Sequence, residues 1–256
     1  MLRLALLLFL CFGCSAPGPK PAPAPAADRL VVLVSIDGFH PDHLERPGAT
    51  RLRELARRGV RAERLVPSFP SKTFPNLYTI ATGLYPEHHG IVANTMLDPA
   101  LGRFTAPDTA INLKPGWWGG EPIWITAERQ GVRSATMFWV GSQVAFDGRR
   151  PTFWHHFDAN LPNATRVAEV LRWASLPADQ RPRLITVYFN RVDVVAHRWG
   201  PRGPQVDSAI AVVDSAIGRI VGGITELGLL GSTDFVIVSD HGISEISPDR
   251  VVYLDD

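Results

Sequence analysis

Leu30-Val-Val-Leu-Val-Ser-Ile36 is a continuous, largely β-branched run that stops at Asp37-Gly38. A run of this kind lacks the polar alternation of a half-exposed strand, so it predicts a strand buried on both faces, which needs helices above and below a parallel sheet. Two more such runs, Leu184–Phe189 and Asp234–Ser239, predict further buried strands. Between them Val206, Ile210, Val213, Ile217, Ile220, Ile224 and Leu227 recur at steps of three and four before Gly228, which predicts one long helix with a glycine C-cap. Shorter amphipathic stretches, 49–58 before Gly59, 121–130 before Gly131 and 164–174, predict three more helices. Strands alternating with helices define an α/β layered fold with a mainly parallel central sheet. The Gly-, Pro- and Trp-rich stretch from 97 to 120 has no period and reads as a long loop.

The first residues read as an address. Met1-Leu-Arg3 followed by the apolar run from Leu4 to Cys14 has the basic and apolar regions of a secretory signal, and it is shorter than the roughly 20 apolar residues a spanning helix needs. Gly13-Cys14 resembles a bacterial lipoprotein cleavage site, with a soluble product cut near Ala16 as the alternative. Residues 1–16 are thus expected to be a signal peptide, 17–28 a stiff Pro/Ala tether, and 29–256 the folded domain, exported to the periplasm or cell surface. Cys11 and Cys14 both lie in the leader, so no disulfide is expected inside the domain. Lys and Arg total 26 against 25 Asp and Glu, a balance that excludes a general nucleic-acid binder, and no binding of nucleic-acid duplexes is expected. Membrane contact is expected only through a lipid anchor.

In an open parallel sheet, ligands bind beyond the carboxyl ends of the strands. Asp37 follows the first strand, Asp193 and His197 follow the strand at 184–189, and Asp240-His241 follow the last. Each alone reads equally well as a turn former or surface residue, but five oxygen and nitrogen ligands delivered to one edge, without thiolates, suit a pair of zinc-like ions. Thr73, in Ser71-Lys72-Thr73-Phe74-Pro75-Asn76, reads as an ordinary helix cap or as a nucleophile activated by an ion and a helix N-terminus.

Val34-Ser-Ile-Asp-Gly-Phe39, Phe69-Pro-Ser-Lys-Thr-Phe-Pro-Asn76, Thr82-Gly-Leu-Tyr-Pro-Glu-His-His-Gly-Ile-Val-Ala-Asn94, Trp117-Trp-Gly-Gly-Glu-Pro-Ile-Trp124 and Ser239-Asp-His-Gly242 together resemble the nucleotide pyrophosphatase/phosphodiesterase family of the alkaline phosphatase superfamily. The resemblance implies an α/β/α sandwich and a hydrolase of phosphodiester or pyrophosphate bonds in nucleotide-like small molecules, working through a phospho-threonine. It implies two zinc ions, or other divalent ions in their place: one held by Asp37, Thr73, Asp240 and His241, the other by Asp193 and His197. Thr73 would be the nucleophile and Asn94 would donate to a phosphoryl oxygen. Phe74 and Tyr188 would stack a nucleobase, with core packing as the alternative for both, more so for Tyr188 inside its strand. His88-His89 would be a structural part of its turn.

Two departures qualify the implied activity. Ala196 stands where the family has Gly before the histidine at 197. The family also supplies a second histidine to the Asp193 and His197 ion from further along the chain, and residues 242–256 contain none. The expectation from the sequence is therefore an N-terminal portion of a longer enzyme, with its second ion one ligand short. A sibling activity on the same scaffold (phosphomonoesterase, phosphonate or choline-phosphate hydrolase) and an inactive remnant are the competing readings.

Overall fold

The computed structural model describes residues 29–106 and 108–252. The expected leader and tether, 1–28, lie outside the described residues, as do 253–256. In chain order the elements are β1 (Leu30–Ile36), α1 (Thr50–Arg58), α2 (Thr73–Thr82), α3 (Pro86–His89), β2 (Thr95–Asp98), β3 (Gly102–Thr105), α4 (Thr109–Asn112), α5 (Ile123–Arg129), β4 (Ser134–Met137), β5 (Phe153–Trp154), α6 (Asn163–Ala174), β6 (Leu184–Phe189), α7 (Arg191–Trp199), α8 (Pro204–Glu226) and β7 (Thr233–Val238).

The main sheet has the order β5-β4-β6-β1-β7, and every neighbouring pair in it is parallel. β1 lies inside it with residues of both faces buried, as its unbroken apolar run requires. α8 packs against α1, α6 and α7, whereas α2 packs against α3 and α5. These two groups of helices cover the sheet and make a three-layer α/β/α sandwich. α8 is long and apolar enough to cross a membrane by length and composition. Its apolar stripe, Val206, Ile210, Val213, Ile217, Ile220 and Ile224, is instead buried in the core. Burying each such side chain contributes about 1.5–3 kcal/mol. Gly223 lets α6 approach closely, because a Cβ there would lie 2.5 Å from the Leu171 methyls.

The structure corrects the sequence reading in three places. The stretch 97–120 holds the β2–β3 hairpin and α4, and buries Phe104, Trp117 and Trp118 in an aromatic cluster with Tyr78. β7 is the edge of the sheet among the described residues: Asp234 pairs with Arg29 and Val236 is 43% exposed. Its apolar run alone does not separate a central strand from an edge. Finally, Asp193 and His197 lie on α7, one helical turn apart, a helix that is not among those expected from the sequence.

Candidate active site

Strand register brings the candidate residues together. Ile36 pairs with Phe189 and Ser35 with Val238, so β1, β6 and β7 end side by side. Asp37, the start of α7 and Ser239-Asp240-His241 leave the sheet at one edge. Backbone hydrogen bonds join these segments: Asp37 N–H donates to Phe189 O at 2.9 Å and Asp193 N–H to Asp37 O at 3.1 Å. Gly38 N–H donates to Asp240 Oδ1 at 3.3 Å and Phe39 N–H to Ser239 Oγ at 3.0 Å. Gly38 has φ +67°, and a Cβ there would lie 3.0 Å from Asp193 Cα and Cβ. Only glycine permits that backbone and that approach without strain.

Side-chain atoms converge above this edge. His241 Nε2 stands 3.3 Å from Asp37 Oδ1, 3.4 Å from Asp240 Oδ2 and 3.3 Å from Thr73 Oγ1. These are the four residues assigned to one ion. A tetrahedral zinc ion with bonds of about 2.0–2.1 Å has edges between ligands of about 3.3–3.4 Å. His197 Nε2 and Asp193 Oδ1 are likewise 3.3 Å apart. One ligand atom each of Asp37, Asp193 and His241 lie within 4.8 Å of one another, so the two groups of ligands adjoin. Asp37 Oδ1, Asp193 Oδ1 and Asp240 Oδ2 are buried without a hydrogen-bond partner, a costly arrangement unless a cation shares it. The residues present therefore fit a divalent-ion centre.

The electrostatics agree. Burial, and then the neighbouring Asp240 and Asp193, push the Asp37 carboxyl well above the ordinary carboxylate range. Burial pushes Asp240 up to about 7 and raises Asp193 as well. Three acids crowded at one buried point repel one another, and a divalent cation removes that conflict.

Thr73 is the first residue of α2, and the cap position belongs to Lys72, which makes no side-chain capping bond. The Thr73 hydroxyl is thus not spent as a helix cap and points to His241 Nε2, at the positive end of the helix. Asn94 Oδ1 accepts from Phe74 N–H at 2.9 Å. Because the backbone group is a donor, the oxygen must face it, and the amide nitrogen of Asn94 is directed away. Phe74 packs against Phe104 and Trp118 and remains partly exposed.

The sequence leaves Asn76 and Phe157 unread, whereas Tyr188 and His89 carry expectations from it. Asn76 is buried beneath the loop before Thr73: its Nδ2 donates to Ser68 O, Pro70 O and Lys72 O, and its Oδ1 accepts from Ser68 N–H and Oγ–H. A polar residue inside an apolar helical turn was the available signal. Tyr188 is 6% exposed and its hydroxyl donates to Asp37 Oδ2, so it orients a carboxylate and lacks the open face that base stacking needs. Phe157, 42% exposed, has its ring 6.1 Å from that of Tyr188 and is the accessible aromatic there. His89 is structural: it is buried, accepts from Ile91 N–H through Nδ1 and meets Thr79 Oγ1 through Nε2. Burial holds its imidazole down at about 4. His197 is largely exposed and Ala196 is buried.

Comparison with known proteins places this arrangement. The sequence model of the family described as type I phosphodiesterase / nucleotide pyrophosphatase matches residues 31–256. An uncharacterized pyrophosphatase/phosphodiesterase of Schizosaccharomyces pombe is 41% identical over 227 residues, 88% of this chain and 47% of that protein. A venom phosphodiesterase of Crotalus durissus collilineatus is 37% identical over 94% of this chain and 29% of its own length. The solved structure of murine ectonucleotide pyrophosphatase/phosphodiesterase 5 superposes with a TM-score of 0.81 at 32% identity, covering 89% of this chain and 61% of that one. A second structure of the murine protein, an inactive threonine-to-alanine variant in complex with AMP, superposes with a TM-score of 0.82 at 31% identity, over 89% of this chain and 60% of that one. The chain thus spans between 29% and 61% of the length of these relatives. By the family match along nearly all of the folded domain, the chain belongs to the type I phosphodiesterase / nucleotide pyrophosphatase family.

Proposed function

We propose that this chain hydrolyses phosphodiester or pyrophosphate bonds in nucleotide-like small molecules outside the cytoplasm, with Thr73 as nucleophile. The observation that carries the reading is the Thr73 hydroxyl at the start of α2, 3.3 Å from His241 Nε2 and not used as a cap. Family membership supports the reaction class, and the AMP complex of the murine relative supports a nucleotide substrate. The names of the venom and ectonucleotide relatives support export.

Asp37, Thr73, Asp240 and His241 would hold one zinc ion, and Asp193 with His197 the second. Bound divalent ions supply Lewis-acid stabilisation of charge on the attacking and leaving oxygens. The chain's own residues do the rest. Thr73 Oγ1 gives up its proton to solvent water and attacks phosphorus, and the bond from phosphorus to the leaving oxygen breaks as that group departs. Water then attacks phosphorus in the resulting phospho-threonine, breaking the bond to Oγ1, releasing the phosphoryl product and returning a proton to the Thr73 oxygen. The N-terminus of α2 favours negative charge on Oγ1 and on the phosphoryl oxygens. Asn94, its oxygen held by Phe74 N–H, offers its amide hydrogens to a phosphoryl oxygen as charge develops there. Tyr188 holds Asp37 in place. Phe74 provides an aromatic surface beside the nucleophile for a base.

The test is release of nitrophenolate from a nucleoside 5′-monophosphate nitrophenyl ester by the zinc-supplied chain and by Thr73→Ala. The expected result is turnover that falls at least about a thousand-fold in the variant. Turnover confined to simple aryl phosphates would favour a sibling activity, and none in a folded, zinc-loaded chain would overturn the proposal.

A further inference from the structure

Arg166 on α6 is 1% exposed, yet each of its five hydrogen bonds among the described residues goes to a neutral oxygen. Nε donates to Leu161 O at 3.1 Å; Nη1 donates to Tyr188 O at 3.1 Å and Asn190 Oδ1 at 3.2 Å; Nη2 donates to Asp158 O and Ala159 O, each at 3.4 Å. Burying a guanidinium against neutral acceptors is expensive, and an apolar side chain of similar volume would fill the space at lower cost. What the guanidinium does that an apolar group cannot is tie separate backbone segments together through a planar fork of donors.

The segments it ties border the candidate active site. Tyr188 lies near the end of β6, where its hydroxyl reaches Asp37, and Asn190 follows the strand at the start of α7. Asp158, Ala159 and Leu161 belong to the loop that carries Phe157. The guanidinium carbon also lies 5.0 Å over the Phe138 ring, and that ring meets Phe157 edge to face at 5.4 Å. Phe138 has φ +68°, a left-handed conformation that a bulky residue keeps only where its surroundings impose it. A chain of contacts therefore runs from Arg166 through Phe138 to the exposed Phe157, which neighbours Tyr188.

We propose that Arg166 is a positioning residue: it clamps the 157–161 loop and Phe138 against the end of β6, so that Phe157 presents a rigid aromatic face beside the Asp37 cluster to the planar part of a nucleotide. The inference rests on the nucleotide reading given under Proposed function and adds a determinant of its specificity. Stacking one base on one aromatic ring is typically worth about ten-fold in affinity or more.

The experiment is calorimetric titration of the zinc-loaded chain with AMP and with inorganic phosphate, for the wild type, Phe157→Ala, Arg166→Gln and the double variant. The expected result is a preference for AMP over phosphate that falls about ten-fold in each single variant and no further in the double, because both changes act through one ring. Equal weakening of AMP and phosphate in Arg166→Gln would show a merely structural role and overturn the proposal, as would losses that multiply in the double variant. A wild type that binds AMP no more tightly than phosphate would overturn it too. If Arg166→Gln does not fold, Phe138→Leu decides: it keeps the buried charge and its hydrogen bonds but removes the ring next to Phe157. A ten-fold loss of AMP preference there supports the proposal, and an unchanged preference overturns it. Failure to hydrolyse the nucleotide ester, with AMP preference intact, would count against the catalytic reading alone.

Discussion

Tyr188→Phe separates two uses of one side chain. The substitution keeps the ring and removes only the hydroxyl that donates to Asp37 Oδ2. A hydrogen bond to a charged group contributes about 1.5–3 kcal/mol, and the site is buried enough (Tyr188 is 6% exposed) that bulk water does not simply replace the lost donor. Asp37 also faces His241 through Oδ1, so a carboxylate freed at Oδ2 would rotate away from the position in which the proposed reading has it hold an ion. Partners of this kind typically change metal affinity by about 10–100-fold, or about 1.4–2.8 kcal/mol, which agrees with the value of the hydrogen bond. The assay is zinc titration against a competing chelator, with the melting temperature followed in parallel to show that the fold is retained. If Tyr188 instead stacked a base, Phe would serve as well and zinc affinity would not move. An affinity within about two-fold of wild type would refute the reasoning.

Gly38→Ala forces an alanine into φ +67° and places its methyl 3.0 Å from Asp193 Cα and Cβ. The conformation alone costs about 1–2 kcal/mol, and because Asp193 must shift, zinc affinity should fall along with thermal stability; a loss of stability with unchanged affinity would show that Asp193 is not a ligand. Asn76→Ala removes the hydrogen bonds that hold residues 68–72 and should destabilise by about 3 kcal/mol in chemical denaturation, with a lower turnover number because Thr73 follows that loop. His89 gives an acid limit. Its folded pKa of about 4 lies below the unfolded value of about 6.5, so the unfolded chain binds the proton first. The stabilisation is complete above about pH 6.5, declines as pH falls, and is lost near pH 4, a difference of about 3 kcal/mol. Denaturation midpoints across this range, compared with those of His89→Gln, would show a shallower acid slope in the variant if the assignment holds.

The fold class was legible because its signal is local. An apolar run without alternation, as in Leu30–Ile36, requires cover on both faces, and the apolar stripe of α8 repeats at the helical period for more than five turns. β4 and β5 carry no such signal: Ser134–Met137 is short and half polar, and its burial comes from β6 and the helices around it. β7 shows the converse, an apolar run whose place at the sheet edge depends on strand order. Asp37, Asp193, His197, Asp240 and His241 could be named and grouped at one sheet edge from residue type and position after strands, and Thr73 from its place at a helix start, whereas their division between two ions came from the family resemblance.

What the sequence determined by itself is therefore the element pattern and the kinds of chemistry available at the strand ends. Only the tertiary structure decided which atoms meet. The 3.3–3.4 Å spacings around His241 Nε2 arise from the parallel register of β6, β1 and β7 together with the entry of α2, and residues 202 positions apart in the chain, such as Gly38 and Asp240, meet there. The same holds for Tyr188, whose hydroxyl reaches Asp37 across a sequence separation of 151, and for Arg166, which is buried among backbone carbonyls of other segments. Local periodicity records which side of an element faces inward. The partner waiting on that side is set by long-range packing, and no local pattern encodes it.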